Sequence, residues 1–194
     1  MKKIVFPLIA LIFITLISCK EKNKNSLTTV EKTEEVSPSS ISQEKKEIIV
    51  QLEPKSGSKA VGKLIFKEVD GVVSLAAKFQ GLTAGMHAIH IHEQADCSSV
   101  DGKSAGGHWN PTFKNHGKWG DEGGYHKGDI GNFEIDESGD GKIIMETNEW
   151  CIGCEDDTKN ILGKAIIVHQ GTDDFISQPS GAAGTRIICG GIIL

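Results

Sequence analysis

Seven histidines fall within residues 87–169, and their spacing is that of metal ligands rather than of scattered surface residues. His90 and His92 stand two apart in Ala88-Ile89-His90-Ile91-His92. In a β-strand alternate residues share a face, so both imidazoles can reach one ion. His87 has the opposite parity and belongs on the other face of that strand. His108 and His116 lie in a glycine-rich stretch, His126 is followed by Asp129, and His169 ends an apolar run. Imidazole suits copper and zinc, and a carboxylate added to histidines makes a zinc-type set. Without His87, six histidines and Asp129 provide seven ligands, one too few for two four-coordinate ions unless one ligand is shared. The two nitrogens of an imidazole lie on opposite sides of the ring, so a histidine can be that shared ligand.

Such ligands need a rigid frame, and the chain from residue 47 onward supplies short β-branched runs separated by glycine. The pattern predicts strands at 48–52, 60–68, 72–79, 130–135, 142–147, 161–169 and 186–193, besides the histidine strand itself. Asp70-Gly71 marks one tight hairpin. A second hairpin turns through Glu137-Ser138-Gly139-Asp140-Gly141. No segment carries a sustained helical period, so the expectation is an antiparallel sandwich or barrel. The glycine-rich stretches 95–129 and 170–185 are too long for tight turns. They hold or border all seven histidines, as expected of loops that carry function.

The chain of 194 residues opens with Lys2 and Lys3, followed by a nearly all-apolar run over 4–17. That run is shorter than the roughly 20 residues a membrane-spanning helix needs. It ends in Leu16-Ile17-Ser18-Cys19, which resembles the lipobox of bacterial lipoproteins. That resemblance implies a signal peptide over 1–18, a lipidated Cys19 and an exported protein anchored to a membrane on its periplasmic or cell-surface side. Residues 20–46 have no aromatic side chain and mix lysine with glutamate around Ser-Pro-Ser-Ser, so residues 19–46 read as a flexible tether. Export favours disulfides, and Cys97, Cys151, Cys154 and Cys189 can pair in three ways. A net charge of −5 argues against a nucleic-acid partner. Monomer and homodimer both stay open.

Five segments, in order, resemble the copper/zinc superoxide dismutases. They are 81–93 with the strand histidines, Ser104-Ala105-Gly106-Gly107-His108-Trp109-Asn110-Pro111, 126–132 with Asp129, Ile167-Val168-His169, and Gly184-Thr185-Arg186-Ile187-Ile188-Cys189-Gly190. The resemblance spans residues 47–194 and implies an all-β, eight-stranded antiparallel Greek-key β-barrel, or flattened sandwich, with two long functional loops. It implies copper held by His90, His92, His108 and His169, and zinc held by His108, His116, His126 and Asp129, with His87 as a non-ligand. Asp173, rather than its neighbour Asp174, corresponds to the carboxylate that hydrogen-bonds ligand histidines of both metals. Arg186 corresponds to the arginine that attracts superoxide. The implied reaction is dismutation of superoxide to dioxygen and hydrogen peroxide as copper cycles between Cu(II) and Cu(I), with His108 taking up and returning a proton. The family disulfide implies Cys97–Cys189. That leaves Trp150-Cys151-Ile152-Gly153-Cys154, which departs from the family pattern and reads as a local disulfide. The segment is similar to the redox site of thioredoxins, but no strand-then-helix context follows it.

Overall fold

Alternation of apolar and polar residues decides which way each strand faces. The computed structural model describes residues 45–194. In β1 (Lys46–Pro54) the side chains of Ile48, Val50 and Leu52 are buried while their neighbours are exposed. In β2 (Val61–Val69) Leu64 and Phe66 point inward, and in β3 (Val72–Gln80) Val73, Leu75, Ala77 and Phe79 do so. Asp70 and Gly71 join β2 to β3 with φ of 51° and 76°, the pair of positive values a two-residue I′ hairpin requires. The remaining strands are β4 (Gly85–His92), β5 (Gly131–Ile135), β6 (Gly141–Thr147), β7 (Ala165–His169) and β8 (Arg186–Gly191). All pair antiparallel, in the order β1-β2-β3-β6-β5-β4-β7-β8, and β1 meets β8 to close the barrel. Strands β4, β5 and β6 are consecutive neighbours, and β7 returns to lie beside β4, which is a Greek key. The only helix among the described residues is a short 3-10 turn at Lys103–Ala105.

Two strands depart from simple alternation, and they are the ones that carry histidines. β4 is buried on both faces from His87 to His92, and β7 is buried throughout. Ile89, Ile91 and Val168 join the barrel core. On the outer side Ala105, Ala165, Ile167 and Cys189 form a second small cluster with Cys97 against it. The 93–130 connection therefore lies over the outside of β7 and β8. It is tied there by Cys97–Cys189, whose Cα atoms are 5.8 Å apart across 92 residues of chain. Closing a loop of that length removes about 4–5 kcal/mol of chain entropy from the unfolded state. Cys151 and Cys154 form the second disulfide.

Strand bounds shift from the sequence expectation by one or two residues at several ends, β1 spanning Lys46–Pro54 rather than 48–52, and by more at the start of β7. β7 begins at Ala165 rather than Ile161, because Gly163 turns the chain at φ 77° and Lys164 N–H bonds back to Ile161 O at 3.3 Å. β8 ends at Gly191 rather than Ile193. The connection from 148 to 164 is thus a third long one. The signal peptide, Cys19 and the tether as far as residue 44 lie outside the described residues.

Candidate metal centre

The parity of β4 separates its three histidines. His87 shares the side of Ile89 and Ile91, facing the core, where it lies opposite Phe133 of β5. Both its nitrogens have partners, Nδ1 with His169 O at 2.8 Å and Nε2 with Thr83 O at 2.9 Å. His90 and His92 face outward, under the long loop. Main-chain bonds bring that loop back against β4: Trp109 N–H donates to Ile91 O at 2.8 Å, Ile91 N–H to Gly128 O at 2.9 Å, and His108 bridges antiparallel to His92. His169 arrives at the end of β7, whose Ile167 is the register partner of His90.

The donor atoms gather into two groups. One comprises His90, His92, His108 and His169, and the other His108, His116, His126 and Asp129; within each the donor atoms lie within 4.8 Å of one another. His108 belongs to both. All seven residues are buried. Buried polar atoms almost always have a hydrogen-bond partner, so exceptions need a cause. Here His90 Nδ1, His92 Nε2, His108 Nε2 and His169 Nε2 have none, and His116 Nδ1 and His126 Nδ1 meet only the Asp129 carboxylate, at 2.9 and 3.2 Å, without the geometry of a hydrogen bond. One nitrogen of each of these six histidines is left over and faces its group. Two metal ions would satisfy them all, so the residues present fit copper and zinc.

The opposite ring nitrogens explain the orientation. His92 Nδ1 donates to Gly106 O at 3.0 Å and His169 Nδ1 to Gly184 O at 3.1 Å; a carbonyl only accepts, so each Nε2 keeps its lone pair when the ring is neutral. Asp173 accepts from His90 Nε2 at 2.8 Å and from His116 Nε2 at 2.9 Å, joining the two groups from behind. Asp174 instead accepts from Ile176 N, Ser177 N and the Ser177 hydroxyl, all within its own turn. Asp173 is packed against Gly181, whose φ is 64°; a β-carbon there would overlap Asp173 Oδ1 and lie 2.7 Å from His116 Nε2.

Charge follows the same division. Burial lowers His90, pushes His92 well below the ordinary imidazole range, and brings His108 to about 4 and His169 to about 3. At neutral pH those rings offer lone pairs rather than protons. Burial also opposes the charge on His116, but the carboxylates of Asp129 and Asp173 outweigh it and raise that ring to about 9. Burial likewise opposes the two carboxylate charges, yet the histidine hydrogen bonds hold Asp129 and Asp173 well below the carboxylate range.

Arg186 is half-buried at the start of β8, directly across from His169. Its guanidinium donates to Gly102 O at 2.9 Å. Several supporting contacts carry no residue signature in the sequence, such as the carbonyls of Gly102, Gly106 and Gly184. Others come from side chains whose role the spacing did not suggest. Asn132 accepts from Asp173 N–H at 2.8 Å and donates to Asp173 O at 2.9 Å. Gln178 brackets the His116 backbone, accepting from its N–H at 2.8 Å and donating to its carbonyl at 2.9 Å.

The comparisons with known proteins agree with this geometry. The family model described as copper/zinc superoxide dismutase matches residues 60–192. The superoxide dismutase-like protein YojM of Bacillus subtilis is 36% identical over 152 residues, 74% of each chain. The Cu-Zn superoxide dismutase 2 of Aquifex aeolicus is 36% identical over 135 residues, 67% of this chain and 77% of that one. A crystal structure of a SOD-like protein from Bacillus subtilis matches with a TM-score of 0.67 at 34% identity, covering 75% of this chain and 97% of that one. Fold, donor groups and sequence therefore agree, and the chain belongs to the copper/zinc superoxide dismutase family.

Proposed function

We propose that the protein dismutates superoxide at a histidine-bridged copper and zinc pair. His90, His92, His108 and His169 hold copper, and His108, His116, His126 and Asp129 hold zinc. The observation that carries this reading is the set of six buried ring nitrogens without hydrogen-bond partners, divided between two groups that share His108. Two superoxide anions and two protons become one dioxygen and one hydrogen peroxide. Copper supplies the one-electron couple between its +2 and +1 states.

The rest falls to the chain. Superoxide is too small to be recognised by shape, so its capture depends on charge. Arg186 supplies a fixed cation beside His169, and one guanidinium nitrogen is already committed to Gly102 O, which sets the direction of the others. His108 Nε2 faces the copper group, so it is the ring atom that holds a proton there and yields it to the departing peroxide. Asp173 keeps His90 and His116 in one orientation throughout. The rate of superoxide decay per bound copper tests the proposal.

The proposal extends to location. The lipobox-like Leu16-Ile17-Ser18-Cys19, the tether to residue 46 and the domain over 47–194 together support an exported protein held at a membrane by lipid on Cys19. Two disulfides support the same oxidising compartment.

A further inference from the structure

One cluster beside the second donor group has no part in the chemistry above. Tyr125 and Lys127 flank His126, and both side chains reach the same carboxylate. The Tyr125 hydroxyl donates to Glu149 Oε1 at 2.7 Å, and the Lys127 ammonium pairs with Glu149 Oε2. The next residue, Trp150, donates its indole N–H to Lys127 O at 2.8 Å. The Trp119 ring completes the cluster, its centroid 5.1 Å from that of Tyr125 and 5.2 Å from that of Trp150.

The other side of this segment is fixed to the barrel wall. Trp150 is fully buried and meets Phe66 of β2 edge-on, with centroids 6.1 Å apart. Ile152 N–H donates to Glu68 Oε2 at 2.8 Å, again on β2, and the Cys151–Cys154 disulfide closes the segment on itself. Residues 149–154 therefore form a strut that starts on β2 and ends on both neighbours of His126.

His126 needs such support. It sits among Gly117, Gly120, Gly123, Gly124 and Gly128, in a connection with no strand of its own near it. Glycine leaves the backbone more freedom than any other residue. Its turn is closed internally, by Asp129 N–H on His126 O at 3.0 Å and His126 N–H on Asp129 Oδ2 at 2.8 Å. These bonds set the shape of the turn, not its place. The far end is placed by Gly128, whose carbonyl accepts from Ile91 of β4. The near end is placed by Glu149 and Trp150.

We propose that Glu149 and Trp150 are positioning residues for zinc, which set where His126 presents Nδ1 by gripping Tyr125 and Lys127. The inference rests on the zinc assignment proposed above. Its test is zinc affinity, measured on the full chain by competition with a chromophoric chelator, together with the visible spectrum of Co(II) bound in place of zinc. Glu149→Ala should weaken zinc by about tenfold, at the low end for lost outer-shell support, and shift the cobalt bands. Copper affinity should change by less than about twofold, because three of its four histidines stand on β4 and β7 and the fourth, His108, is tied directly to β4 by its bridge to His92 and by Trp109 N–H on Ile91 O. Glu149→Gln, which keeps an acceptor oxygen, should recover most of the zinc affinity. Tyr125→Phe removes a single hydroxyl and should move both readouts in the same direction, so the test survives if Glu149→Ala does not fold. Variants with lower melting temperature but parental zinc affinity and cobalt spectrum would overturn the positioning role alone. A parent chain that takes no zinc would overturn the ligand assignment, and this inference with it.

Discussion

Arg186 and His169 are cross-strand partners at one end of the β7–β8 pair, so the cation and the last histidine of the first donor group are placed by the same two strands. The β7–β8 register shifts between Val168 and His169, and this shift brings Arg186 opposite the histidine. Burial lowers the pKa of Arg186 while nearby Asp101 opposes the shift. Guanidinium begins so high that it remains charged.

The first prediction concerns that arginine. Arg186→Ala should leave copper and zinc content unchanged, since Arg186 belongs to neither donor group. The dismutation rate should fall about tenfold or more if the lost interaction is worth over about 1.4 kcal/mol in the limiting step. Parental activity should also decline as salt rises, because screening shortens the reach of a steering charge. Metal analysis beside a superoxide-decay assay at several ionic strengths checks both. A variant as fast as the parent would remove Arg186 from the mechanism.

Asp173 offers a second test, because it touches both groups. Asp173→Ala frees His90 and His116 together, so copper and zinc affinities should both drop, by about 10–100-fold on the pattern of lost outer-shell carboxylates. Competition titrations with each metal read this. Loss of one metal alone would contradict the role of Asp173 as a joint support.

The histidine pKa values make the metal-free protein sensitive to pH in a definite direction. For His108 at about 4 and His169 at about 3, the folded values lie below the unfolded one near 6.5. Their stabilisation is complete above pH 6.5 and is lost as pH falls toward the folded values. His116 at about 9 works the other way, being fully stabilising below 6.5 and losing its contribution as pH rises through 9. The melting temperature of the metal-free chain should therefore fall on the acid side of 6.5 and, through His116, fall again as pH rises from about 6.5 toward 9. Zinc loading near pH 7.5 should release about one proton, from His116 Nδ1, and calorimetry in buffers of different ionisation enthalpy would count it. A melting temperature flat from pH 4 to 10 would contradict these environments.

The anchor has its own test. Cys19→Ala should release the protein from the membrane fraction or leave it unprocessed at a higher mass. A variant that stays membrane-bound with parental mass would refute lipidation at Cys19.

Much of the site was legible in the sequence, for physical reasons that can be named. A period of two on one strand put His90 and His92 together and set His87 apart, and the barrel keeps that division because one face of β4 is core. Asp70-Gly71 was legible because few residue pairs accept two positive φ values. The start of β7 was not, because Ile161 and Leu162 continue the apolar texture of Ala165, Ile166, Ile167 and Val168 while Gly163 alone marks the turn. The orienting carbonyls of Gly106 and Gly184 could not be read, since every residue has a carbonyl and only the fold chooses which ones are used. Gln178 and Asn132 were silent for a similar reason: their partners are backbone groups far away in the chain. Cys97 and Cys189 were linked by resemblance, while the Trp150-Cys151 segment showed its contacts with the zinc-side loop only in three dimensions.

The most direct measurement loads the chain with both metals, counts copper and zinc per chain, and follows superoxide decay as copper occupancy is varied at full zinc. One copper and one zinc per chain are expected, with a rate that rises in proportion to bound copper and exceeds that of free copper at equal concentration. A chain that binds both metals yet accelerates decay no more than free copper would contradict the proposed dismutation, and would make the barrel a metal carrier instead.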